Sequence, residues 1–171
     1  MELHTKDLNL RPVGPDDVEE VARMWEFEKG PIPHEEAYKA IEYMQKNHRM
    51  NKIGHVHHFC LGVFERGQNK IVGWCGLDGK TAGKLYIFYS IDPDYRNKGY
   101  ATQSAQAMLS YAFNEMQVPF VNGGCAKDNI SSSKVMTRIG MLNTGHEENG
   151  DPIFFIDKCR FACEEVGDGK A

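Results

Sequence analysis

The chain contains no apolar run approaching the roughly 18 to 20 residues needed to cross a bilayer, so no membrane-spanning segment is expected. It has no excess of positive charge. Twenty Lys and Arg against 24 Asp and Glu give a net charge of −4, which argues against a partner recognised through its phosphates, such as nucleic acid. No G-x-x-x-x-G-K-S/T stretch occurs, which disfavours a P-loop nucleotide site. The opening residues, Met1 to Asp7, are polar and mixed in charge with no apolar stretch behind them; no secretory leader is read there, and a cytoplasmic protein is expected. The five cysteines, Cys60, Cys75, Cys125, Cys159 and Cys163, are odd in number, and four sit in apolar runs that read as strands. Buried reduced thiols are the expectation.

At 171 residues the chain is read as a single domain, its core spanning about 8 to 161 and an acidic flexible tail covering 164 to 171. Leu8, Leu10 and Val13 alternate with polar residues as a first strand, after which Gly14-Pro15 breaks the run and Asp16 offers a helix cap. Val18, Val21, Ala22 and Trp25 follow at helical spacing, and a second helix is expected over about 34 to 49. Three strands then succeed one another as a meander, at about 57–66, 70–77 and 84–91. A long helix from Gly99 to about Met116, a strand at 119–125, a helix at 131–139 and two strands at 141–147 and 152–161 complete the order βααβββαβαββ. The fold class is α+β.

The segment Tyr89 to Thr102 carries the most chemistry. A strand stops at Pro93 and the chain reopens as a helix, whose first turn has N–H groups without intrahelical partners and the positive end of the helix dipole. Gly99 lets the backbone approach a phosphate with no Cβ in the way, and Arg96 and Lys98 add charge, so the turn reads as an anion site. An ordinary strand-loop-helix connection with a solvated basic turn would share these residues.

Arg96-x-x-Gly99-x-Ala101 resembles the pyrophosphate-binding signature Q/R-x-x-G-x-G/A of the GNAT N-acetyltransferases. Asn129-Ile130-Ser131-Ser132, followed by Val135 and Gly140-Met141, resembles that family's later N-x-x-S/A segment. The resemblance covers about 8 to 161, and the runs Tyr100-Ala101-Thr102 and Tyr111-Ala112-Phe113 look most like the branch holding ribosomal-protein N-terminal acetyltransferases and several small-amine acetyltransferases. It implies a mixed seven-stranded sheet flanked by about four helices, acetyl-CoA as co-substrate without a metal, and transfer to a primary amine, a small molecule or a protein N-terminus, by a monomer or homodimer.

Residue by residue, the resemblance implies that Ser90 and Ile91 meet the thioester and pantetheine. Arg96, Asn97, Lys98, Gly99, Tyr100, Ala101 and Thr102 would hold the pyrophosphate, and Asn129 and Ser132 the pantetheine arm. A backbone N–H of Ser90 or Ile91 would polarise the thioester carbonyl where neighbouring strands splay. The glutamate many relatives use as base is replaced by Tyr86, and their tyrosine acid by Met136. Ser132, Tyr86 and Asp78 are therefore the catalytic candidates, with Glu26 and Glu28 as further carboxylates. An acidic rim of Glu26, Glu28, Glu35, Glu36, Glu147, Glu148 and Asp151 would favour cationic acceptors. His55, His57 and His58 suggest a metal or a base, but no carboxylate or cysteine adjoins them in the sequence.

Overall fold

The computed structural model describes residues 1–26, 28–80 and 83–167, except for the side chains of 164–167. The strands are β1 (Leu3–His4), β2 (Leu8–Arg11), β3 (His58–Glu65), β4 (Ile71–Asp78), β5 (Tyr86–Ile91), β6 (Phe120–Gly124), β7 (Leu142–His146) and β8 (Pro152–Asp157). They form one sheet in the order β1-β2-β3-β4-β5-β6-β8-β7. Every neighbouring pair is antiparallel except β5 and β6, which run parallel.

Helices cover both faces. On one, α1 (Val18–Met24) and α2 (His34–His48) bury Val21, Met24, Ala37, Ile41 and Met44 against Cys60, Phe64 and Trp74. On the other, α3 (Tyr100–Ser110) and α4 (Ile130–Arg138) bury Ala105, Met108, Leu109 and Met136 against Leu61, Val63, Cys75, Leu77 and Val121. Strands covered on both faces need apolar residues at successive positions, and β3 and β4 show that pattern, buried everywhere but at their ends.

The sheet has eight strands where seven were expected. The added strand, β1, pairs Leu3 with Leu10 and His4 with Asn9. The first helix is entered where expected through a 3-10 turn, Pro15–Asp17, and becomes α-helical at Val18. Asp17, not Asp16, organises its start: its carboxylate accepts the Gly14 N–H at 2.8 Å and both Arg11 guanidinium nitrogens at 2.7 and 2.8 Å. The expected last strand through Phe161 stops at Asp157, whose side chain accepts the Arg160 N–H at 2.8 Å, and the chain turns into α5 (Lys158–Gly167). Phe161 then packs on Phe113 at 5.2 Å. The helix extends into the segment expected to be a flexible tail as far as 167, and 168–171 lie outside the described residues.

All five cysteines are unbridged. Burial holds for Cys60 and Cys75 only, since Cys125 is half-buried and Cys159 and Cys163 are exposed on α5. Desolvation pushes the Cys60 thiol up to about 12, which makes it inert at neutral pH.

Candidate active site

Strand β5 lies at the centre of the sheet, yet four of its six residues, Tyr86, Phe88, Tyr89 and Ser90, remain half-exposed. The cause is its parallel neighbour. β5 and β6 share a single register pair, Tyr86 with Asn122, where the Asn122 main-chain N–H donates to the Leu85 carbonyl at 2.7 Å and its side-chain amide donates at 3.2 Å. Beyond that pair the strands diverge and a cleft opens in the sheet.

Along β5 the backbone groups alternate between neighbours. The Asp92 N–H donates to Val72 of β4 at 3.0 Å, and Ser90 is two residues away, so its N–H belongs to the same ladder. The N–H groups of Tyr89 and Ile91 therefore face the cleft. The Ile91 carbonyl, also turned away from β4, accepts from Arg96 Nε at 3.0 Å.

From the end of β5 the chain passes through a 3-10 turn, Pro93–Tyr95, to the start of α3. Asn97 and Gly99 both take left-handed conformations, with φ of 63° and 78°, and Gly99 caps the helix. Non-glycine residues rarely occupy that region, and a Cβ on Gly99 would point into open space. The Gly99 carbonyl accepts from Gln103, leaving the N–H groups of Tyr100, Ala101 and Thr102 without intrahelical acceptors. Lys98 Nζ lies 3.5 Å from Glu65, which also accepts from the Tyr100 hydroxyl; that hydrogen bond raises the Tyr100 pKa to about 12. The turn is thus pinned by side chains while its amides stay free, which fits a pyrophosphate.

On the α3 and α4 side, the Tyr89 hydroxyl sits 3.0 Å from both the carbonyl and Oγ of Ser132. Burial pushes Tyr89 up to about 12. Asn129 caps α4, its Oδ1 accepting the Ser132 N–H at 3.1 Å. Cys125 Sγ is 3.3 Å from Ser133 Oγ in the same corner. Met136 is instead a core residue, packed so closely that a Cβ on Gly123 would fall 2.8 Å from its sulfur.

On the opposite face, Tyr86, Asp78 and His58 form one row across β5, β4 and β3 through the register pairs Asp78 with Tyr86 and His58 with Asp78. His58 Nδ1 lies 3.6 Å from Asp78 Oδ1. A carboxylate therefore does adjoin the histidine cluster; it was invisible in the sequence because strand pairing brings it there. Among the described residues, no group of three or more His, Cys, Asp or Glu could hold a metal. The expected acidic rim is partly compensated, since Glu26 pairs with Lys29 at 3.3 Å and Glu35 with Lys39 at 2.7 Å.

Sequence reasoning missed Tyr89, and it read His55, His57 and His58 together as suggesting a metal or a base without separating His58 from the other two. Tyr89 could have been suspected as a polar-tipped residue on the core-facing side of its strand; His58 had no comparable signal.

Residues 7–142 match the acetyltransferase (GNAT) domain model, and the chain belongs to that family. The uncharacterised N-acetyltransferase YnaD of Bacillus subtilis is 44% identical over 59 residues, 34% of this chain and 35% of that protein, so the match spans about a third of the relative's length. The ribosomal-protein-S5-alanine acetyltransferase of Vibrio fischeri superposes with a TM-score of 0.77 at 15% identity, covering 92% of this chain and 96% of that one. RimL, a ribosomal L7/L12 α-N-protein acetyltransferase solved in complex with coenzyme A, superposes at 0.71 with 16% identity, covering 92% and 98%. The chain is an acetyltransferase, and its sheet and flanking helices are those of the family.

Proposed function

We propose that this protein transfers the acetyl group of acetyl-CoA to a primary amine by direct attack, both substrates meeting in the β5–β6 cleft. The observation that carries this reading is that the turn with free helix amides follows directly on β5, where Arg96 Nε donates to the Ile91 carbonyl at 3.0 Å. One end offers free strand amides and the other free helix amides. The pyrophosphate would rest on the amides of Tyr100, Ala101 and Thr102, with Asn97, Gly99, Arg96 and Lys98 shaping and charging the turn. The Ile91 or Tyr89 N–H would polarise the thioester carbonyl. Ser90 would contribute through its side chain, because its N–H serves β4.

When the C–S bond breaks, negative charge develops on sulfur, and Tyr89 and Ser132 are the hydroxyls placed to receive it. Burial pushes the Tyr89 hydroxyl up to about 12, above a free thiol, which favours hydrogen bonding to the sulfur over release of its proton. Tyr89 and Ser132 therefore stabilise the thiolate by hydrogen bonding, which is enough for a leaving group already fairly stable near neutral pH. Asn129 would contribute by fixing the first turn of α4.

Tyr86 at the place of the usual glutamate also suits a module that binds acyl-CoA without turnover. Thiol release from acetyl-CoA over a panel of small amines and N-terminal peptides tests the proposal. Release with amines and little with matched alcohols is expected; binding without release from any acceptor would favour the module.

A further inference from the structure

We propose that His58 is the base that takes the proton from the acceptor amine, with Asp78 positioning its ring; the inference rests on the acetyl transfer proposed above. Four features place it. The backbone around His58 is clamped by Asn51, whose Oδ1 accepts the His57 and His58 N–H groups at 2.7 and 3.3 Å and whose amide donates to the His58 carbonyl at 2.9 Å. The imidazole stacks on Phe88 of the cleft strand, with centroids 5.6 Å apart and planes 9° from parallel. That stacking depends on Gly76 of β4, since a Cβ there would fall 2.5 Å from the Phe88 ring and 2.0 Å from the Phe59 carbonyl. Finally, Nδ1 is buried with no hydrogen-bond partner and lies 3.6 Å from Asp78 Oδ1.

The His58 side chain is 13% exposed, and because Nδ1 is buried that exposure belongs to the rest of the side chain. A proton on Nδ1, facing the carboxylate, leaves the Nε2 lone pair for the amine or an intervening water. The amine N–H bond breaks with its proton passing to Nε2, the nitrogen pair forms the new C–N bond, and the C–S pair leaves on sulfur. Charged and titratable groups face the ring from each packed element: Asp78 from β4, Lys80 just beyond it, His57 alongside, Tyr86 from β5, and Tyr43 and His48 from α2. Burial, followed by the Lys80 charge, holds His58 below the usual histidine value against the opposing pull of Asp78. The ring is then neutral, and a competent base, at neutral pH.

The experiment compares wild type, His58→Phe and Asp78→Asn in acetyl-CoA calorimetry, in kcat/KM over pH 5 to 9 with an active amine, and in NMR titration of the His58 ring. Wild-type binding and turnover test the underlying acetyl transfer independently. For His58→Phe, which keeps the stack, acetyl-CoA affinity within about twofold is expected, with kcat/KM at pH 7.5 lowered on the order of 100-fold and the acidic limb of the profile lost. Asp78→Asn should lower kcat/KM about tenfold and move both the limb and the His58 titration to lower pH. His58→Gln serves the same purpose if the phenylalanine variant does not fold. Turnover with an unchanged acidic limb in either folded His58 variant, or loss of acetyl-CoA binding accounting for the lost activity, would overturn the assignment.

Discussion

Ser132 and Tyr89 form the most economical test at the scale of single residues, because their hydroxyls are 3.0 Å apart and can be removed separately. If hydrogen bonding to the departing sulfur is their contribution, Ser132→Ala should lower kcat on the order of tenfold, about 1.4 kcal/mol in the barrier. Tyr89→Phe should behave similarly, and the double variant should lose less than the product of the two, since the hydroxyls hold each other. Steady-state kinetics on the folded variants decide it, and full additivity would separate their roles. Of this corner, Ser132 was legible through its short motif. Tyr89 was not, because only the packing of α4 on β5 brings the two together. The geometry of the Arg96 to Thr102 turn was legible for the opposite reason: the left-handed Gly99 and the helix start it caps are consecutive residues. Asp78 was read as one carboxylate among several, and its distinction comes from a neighbour on the adjacent strand.

Local signals also explain which elements the sequence revealed. The strands β3, β4 and β5 and the helices α2 and α4 fall close to the spans expected from periodicity and punctuation, whereas the long helix expected to about Met116 is α-helical only to Ser110 and continues as a π-helical turn over Tyr111–Glu115. The error at the C-terminus has an identifiable source: Ile153, Phe154, Phe155 and Ile156 run apolar into Cys159, Phe161 and Ala162, and nothing in hydrophobicity alone separates the strand from the helix. Asp157 does so by capping, at a position where the apolar run hides it. The same capping logic yields a prediction for α4. Asn129→Ala removes the side-chain acceptor for the Ser132 N–H and should cost about 1 kcal/mol of stability in urea denaturation. If the cap also orders the amides beside the cleft, KM for acetyl-CoA should rise. An unchanged KM at reduced stability would confine Asn129 to capping.

The whole molecule responds to acid through buried groups on the α1 and α2 face. His48, whose Nε2 accepts the Cys60 N–H at 3.1 Å, is held below the usual histidine value by burial, as is His58. The unfolded chain therefore takes up these protons first. Stability should be full above about pH 6.5 and fall as the pH drops below it, until the depressed folded values are passed. Asp17 adds a second decline at lower pH. Burial alone would raise its pKa, but the hydrogen bonds from Arg11 and Gly14 and the Arg11 charge outweigh burial and lower it, so its contribution is lost below the normal carboxylate range. Thermal melts across pH 3 to 8 check both, and a profile flat between pH 7 and 5 would contradict the first.

The proposed site lays one long thioester substrate along β5, beside its single register pair with β6, and onto the start of α3. Acetyl-CoA calorimetry on wild type and Gly99→Val measures that relation most directly. Valine at Gly99 must adopt φ near 78°, a conformation a β-branched residue strongly resists, so the turn that presents the free amides cannot keep its shape without strain. The expected result is tight binding by the wild type and at least a tenfold loss in a folded Gly99→Val protein. Undiminished affinity in that variant would contradict the placement of the cofactor at this helix start.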